Sequence, residues 1–254
     1  MSDDAVMTIP SDHPTAIDLL LAVRGGDVST LRRLFSERPE LARSRFGSRA
    51  RGTSTALHFV TDWPGYFPNG PTIVHLLVDA GADPNALTTA RDSETPGPGS
   101  ETPLHYAAST DDVDVAAALI DRGADLETPG GSIGTPLDNA VGYSCWHVAR
   151  VLVTRGARVE KVWHAGALGR LDLLDELLVP EIEHEQISQG FWHACGAGQR
   201  RAAERLLRAG ADLNWEPDYA RGTALDAATG LGTRQESVIG WLQSIGARSA
   251  QSPE

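Results

Sequence analysis

Short apolar stretches recur along the chain at near-equal intervals, each opened by a threonine and closed by a glycine. "TPLHYAAS", residues 102–109, and "VAAALIDRG", residues 115–123, show the pattern most clearly. In the first, Thr102 is placed to cap a helix with its hydroxyl, and Pro103 falls at the first helical position, where a missing N–H costs nothing. In the second, the apolar positions run up to Gly123, the residue type that ends helices in a left-handed conformation. The pair predicts two short helices joined by a tight turn. Neither can bury its apolar face alone, so stability has to come from stacking one pair on the next.

The same punctuation returns along most of the sequence. Gly-Ala-Asp or Gly-Ala-Arg occurs at Gly81, Gly123, Gly156, Gly210 and Gly246, and Thr-Pro-Leu or Thr-Ala-Leu at Thr55, Thr102, Thr135 and Thr223. The steps from Gly123 to Gly156 and from Thr102 to Thr135 are both 33 residues. In period and in "TPLHYAAS" the chain resembles the ankyrin-repeat family, whose signature is T-P-L-H-x-A. The expected fold is an all-α ankyrin-repeat solenoid of about seven helix-turn-helix units, several of them degenerate, with extended inter-repeat loops. It is expected to occupy residues 15–249, after a disordered N-terminus (1–14) and before a short tail (250–254), with the terminal units as caps.

Aligning the units gives each one residue in the signature's histidine slot: Leu20, His58, His105, Asp138, Trp163, Trp192 and Asp226. His58 and His105 are expected to be structural. In the fifth and sixth units the Thr-Pro cap is lost too, Glu160-Lys161 and Gln189-Gly190 standing in its place. The favoured reading of Trp163 and Trp192 is that a large ring fills the space left by the missing turn.

The resemblance implies a concave face, formed by the first helix of each unit and the turn before it, on which family members bind partners. The residue after the slot forms a column on that face: Leu21, Phe59, Tyr106, Asn139, His164, His193 and Ala227. Three or four positions further on come Asp62, Trp63, Ser109, Thr110 and Tyr143. Stacked helices lie about 8–10 Å apart, which would make His164 and His193 neighbours. Two insertions, "DWPGYFPNGP" at residues 62–71 and "TTARDSETPGPGS" at residues 88–100, point at the same surface. The first reads as an ordered flap and the second as a mobile loop, and together they would roof the groove.

Two functions fit these residues. The first is a binding scaffold whose concave face holds a protein or peptide. The second is a small-molecule-binding enzyme with a roofed pocket, in which His164 and His193 act as acid and base or as hydrogen-bond donors, Asp62 orients one of them or polarises a substrate, and Trp63, Tyr106 and Tyr143 stack the ligand. The candidate binding residues common to both are Phe59, Asp62, Trp63, Tyr106, Asn139, Tyr143, His164 and His193.

Charge narrows the partners. With 34 acidic against 22 basic residues and a net charge of −12, the field repels phosphate backbones and anionic lipid, so neither nucleic acid nor a membrane is expected. The acidic start and the lack of a membrane-length apolar run point to a soluble, cytoplasmic protein. Cys145 and Cys195 suit a reducing compartment as small packing residues. No metal or nucleotide cofactor is expected: the eight histidines are scattered, no phosphate loop is present, and "GGSIG" at residues 130–134 reads as turn chemistry rather than a nucleophile elbow.

Overall fold

The computed structural model describes residues 6–48, 50, 52–91, 93, 95–230 and 235–250, which fall into two compact units, Met1–Ala157 and Arg158–Glu254. In the first, eight helices form four antiparallel pairs: α1 (Pro14–Arg24) with α2 (Val28–Glu37), α3 (Ala56–Thr61) with α4 (Gly70–Asp79), α5 (Pro103–Thr110) with α6 (Val113–Asp121), and α7 (Pro136–Gly142) with α8 (Trp146–Thr154). In the second, six helices form three: α9 (Val162–Leu168) with α10 (Leu171–Leu177), α11 (His184–Gly196) with α12 (Arg200–Arg208), and α13 (Ala224–Thr229) with α14 (Glu236–Ser244). First helices stack on first helices within each unit, as α3 on α5 and α5 on α7, or α9 on α11 and α11 on α13.

The recurring sequence signals act locally. Thr102 and Thr135 cap α5 and α7, their hydroxyls accepting from the third helical N–H, with Pro103 and Pro136 in the first turn. Gly123 at φ +89° and Gly210 at φ +104° reverse the chain after the second helix of their pairs. The alanine after each turns its N–H back to the last helical turn, Ala124 to the Leu119 carbonyl at 3.0 Å and Ala211 to that of Leu206 at 3.2 Å. Gly-Ala is therefore a helix stop in which glycine supplies the backbone conformation and alanine the closing bond. Between pairs the core is leucine and alanine: Leu57, Leu104 and Leu137 from first helices, and Leu77, Leu119 and Leu152 from second helices, are all buried.

Three features depart from the sequence reading. The fold is mostly helical but adds a small sheet, in which β1 (Thr8–Ile9) runs parallel to β2 (Arg45–Ser48) and β2 pairs antiparallel with β3 (Gly52–Thr55). Residues 6–13, expected to be part of a disordered lead, are thus tied down through Thr8 and Ile9; residues 1–5 and the tail from 251 lie outside the described residues. In the sixth pair no cap is lost at Gln189-Gly190, because α11 begins at His184 and simply runs through those positions.

Candidate functional site

The histidine slot is a line of stitches between neighbouring repeats. His58 Nδ1 accepts from the Thr55 N–H at 3.1 Å, so the ring proton sits on Nε2 and is donated to the Glu101 carbonyl at 3.0 Å, one repeat further on. His105 repeats this, accepting from the Thr102 N–H at 3.2 Å and donating to the Gly134 carbonyl at 2.9 Å. Burial holds both rings below the usual imidazole pKa, that of His58 at about 4. Asp138 and Asp226 keep the capping half, accepting from the N–H groups of Thr135 and Thr223 at 2.7 and 2.9 Å.

Trp192 keeps the other half. Its Nε1 donates to the Gly222 carbonyl at 3.0 Å, the carbonyl just before the Thr223 cap, as His105 does to the one before Thr135. An indole has a donor but no acceptor. It therefore suits a slot inside a continuous helix, where no threonine N–H waits to be capped.

In the first unit the inner helices carry an open hollow of about 430 Å³ lined by Thr61, Asp62, Trp63, Glu101, Tyr106, Ser109, Thr110, Ser132 and Tyr143. Four sequence-predicted residues meet here: Asp62, Trp63, Tyr106 and Tyr143. Trp63 is 78% exposed and Tyr143 51%, so two aromatic faces stand open to solvent. Asn139 is fully buried and bonds to two of the lining residues, its Nδ2 donating to Glu101 Oε1 at 2.7 Å and to Ser109 Oγ at 3.2 Å. Among the described residues its Oδ1 has no donor. Tyr106 keeps its phenol proton, its pKa raised by burial and by the nearby Glu101 and Asp62 carboxylates.

Asp62 is already committed. Its carboxylate pairs with Arg24 and accepts from the Trp63 N–H at 2.9 Å, so it does not orient a histidine. Phe59 does not face the hollow's lining either, its ring packing against Phe46 of β2 at 5.2 Å. The first insertion is anchored sideways rather than folded over as a roof: the Tyr66 N–H donates to Asp112 Oδ2 at 2.6 Å and its hydroxyl to the Asp111 carbonyl. The second insertion is pinned at its base, where the Thr89 N–H donates to the Thr53 carbonyl at 2.9 Å, and none of its described residues lines the hollow.

Glu101 and Ser132 were not among the sequence candidates. Glu101 Oε1 accepts from the Ser132 N–H and Oγ at 3.1 and 2.9 Å as well as from Asn139, joining its repeat to the next one. The one signal was position: Glu101 immediately precedes the Thr102 cap, at the lip of the inner face.

In the second unit His164 and His193 are neighbours, as the spacing predicts, but both are buried. Trp163 packs its ring 4.3 Å from that of His164 and 4.9 Å from that of His193, while Tyr219 stacks on His193 at 6.4 Å. Burial and the adjacent His164 bring the His193 pKa down to about 3. A ring kept neutral to that depth exchanges no proton near pH 7, so the acid-and-base role does not suit it. A larger hollow, about 1000 Å³, lies between α13, α14 and residues 247–250. Its carboxylate, Asp226, is already engaged by Thr223, Ser249 and the Ala250 N–H.

Residues 66–162 match the family model of ankyrin repeats, in three copies. Those residues are ankyrin repeats, and the chain has the ankyrin-repeat fold. Among solved structures it is similar to the ankyrin repeat domain of Bcl-3, described as a unique member of the IkappaB protein family, with 25% identity, a TM-score of 0.50, and coverage of 89% of this chain and 97% of that one. Among curated proteins no relative matches. Ankyrin-repeat domains are in general protein-interaction scaffolds, and among the described residues of this one no helix is long and apolar enough to cross a membrane.

Proposed function

We propose that this protein is a binding scaffold that holds a protein or peptide partner on the inner helices of its first unit, centred on the hollow. The observation that carries this reading is the pair of solvent-facing aromatic side chains, Trp63 and Tyr143, beside a carboxylate fixed by three hydrogen bonds. Exposed Trp and Tyr at the rim of a concavity are the anchors that dominate protein interfaces when a partner covers them. Nothing in the fold needs them there for stability, since each leaves half or more of its surface in water. The test is affinity capture from an extract of the producing cells by wild type, by Trp63→Ala and Tyr143→Ala, and by Arg150→Ala as a control on the exposed side of α8. Specific partners lost with the two aromatic variants and retained by the control support the reading; partners held equally by all four would remove it.

A further inference from the structure

We propose that the hollow is a socket for an arginine side chain of the partner protein, with Glu101 as its counter-ion and Trp63, Tyr106 and Tyr143 as its walls; this rests on the scaffold reading above.

Three independent features select a cation. The first is an uncommitted carboxylate. Around the inner and outer faces of the first unit, Asp62, Asp79 and Asp121 each pair with an arginine, of Arg24, Arg122 and Arg155. Glu101 forms no ion pair among the described residues. Its Oε1 is saturated by Ser132 and Asn139, which fixes the group in place, while Oε2 takes no hydrogen bond among the described residues.

The second is the direction of the hydroxyls. Thr61 donates to the Leu57 and His58 carbonyls, Ser109 to that of His105, Thr110 to those of Tyr106 and Ala107, and Ser132 to Glu101. Each spends its proton on the protein, and all but the fully buried Thr61 keep a lone pair for whatever enters. Beneath them the buried Asn139 Oδ1 is one more acceptor without a donor among the described residues. A lining rich in acceptors asks for a ligand rich in N–H groups.

The third is the aromatic wall. The faces of Trp and Tyr attract a cation through the ring quadrupole, and a guanidinium can stack on them while its five N–H groups reach scattered acceptors. An ammonium, compact and strongly hydrated, loses more water for fewer contacts. The net charge of −12 also draws a basic partner in from a distance.

The probe is the peptide acetyl-Gly-Gly-Arg-Gly-Gly-amide, titrated into the ¹⁵N-labelled full chain while the Trp63 indole N–H signal, assigned by its loss in Trp63→Ala, is followed. A matched peptide carrying citrulline, the neutral isostere, is run beside it with free arginine. The expected result is a saturable shift of the Trp63 signal with a dissociation constant in the millimolar range, at least about tenfold weaker with citrulline and about tenfold weaker in Glu101→Gln. Glutamine retains an acceptor for the Ser132 and Asn139 bonds, and a circular-dichroism melt unchanged from wild type establishes that the variant is folded. Equal binding of the citrulline peptide, or undiminished binding by Glu101→Gln, overturns the cation assignment. Free arginine binding as tightly as the peptide overturns the protein partner as occupant. If the arginine peptide fails while Trp63→Ala still loses its captured partner, the socket falls and the scaffold stands; if capture is also unaffected, both fall.

Discussion

Replacing His58 by asparagine separates the two jobs of the signature histidine. An asparagine oxygen can still accept from the Thr55 N–H, but the side chain is too short to replace the Nε2 bond to the Glu101 carbonyl at 3.0 Å. Losing that bond from a fully buried site, together with the ring volume, costs about 2–3 kcal/mol at pH 7.5. The pH dependence carries the diagnostic. His58 has its pKa lowered from 6.5 to about 4 by burial. Between those values the unfolded chain binds a proton that the folded chain refuses, so this contribution is fully present above pH 6.5 and fades as the pH falls toward 4. At about 1.4 kcal/mol per pH unit, wild type loses about 2 kcal/mol from this group by pH 5. Asparagine does not titrate, and the variant lacks that loss. Urea unfolding followed by circular dichroism at pH 7.5 and pH 5.0 should therefore show the gap between the two proteins narrowing to about 1 kcal/mol or less. A gap of equal size at both pH values would refute the neutral, carbonyl-bound histidine.

Three further outcomes follow from other contacts. In Gly166→Ala the new methyl would sit 2.7 Å from the Gly190 carbonyl oxygen, so α9 and α11 must separate; a loss of about 2–3 kcal/mol is expected in chemical denaturation, and a neutral result would contradict the close helix approach. Trp192→Phe removes the 3.0 Å bond to the Gly222 carbonyl while keeping most of the ring, and should cost about 1–2 kcal/mol; a change below 0.5 kcal/mol would deny the indole its stitching role. Trp63→Ala, at a side chain 78% exposed, should leave the melting temperature within about 2 °C of wild type while removing partner capture, and a large stability loss would recast Trp63 as a packing residue.

The parts of the fold that were legible in the sequence are those decided within one turn of helix. Thr102-Pro103 and Gly123-Ala124 each carry their own geometry, and the chain obeys them wherever they recur. The sheet was not legible, because Thr8-Ile9 is too short to show a period and pairs with residues 45 and 46 only once the helices between them have folded. The start of α11 was missed for a related reason: alignment on the repeat placed a cap at Gln189-Gly190, whereas the helix begins five residues earlier.

The site was half legible. Counting from the slot put Trp63, Tyr106 and Tyr143 on one face, and they do line one hollow. Counting could not give their depth or partners. His164 and His193 lie where the column places them, yet Trp163 and Tyr219 cover them, and no pattern within a single repeat reports that. Asp62 looked available until Arg24, 38 residues earlier in the chain, was seen to hold it. Glu101 went unnoticed because its role depends on Ser132 and Asn139 from the next repeat. Tertiary neighbours, not residue type, decide which polar groups remain open to a partner.

Whether the inner face is where a partner sits can be read by photocrosslinking. Benzoyl-phenylalanine placed at Ser109, in the lining of the hollow, should crosslink a discrete protein from an extract of the producing cells, and excess wild type should compete it away while Trp63→Ala does not. The same photoprobe at Arg150, on the exposed side of α8, should not capture that protein. Equal crosslinking from both positions, or from Arg150 alone, would contradict the concave hollow as the binding site.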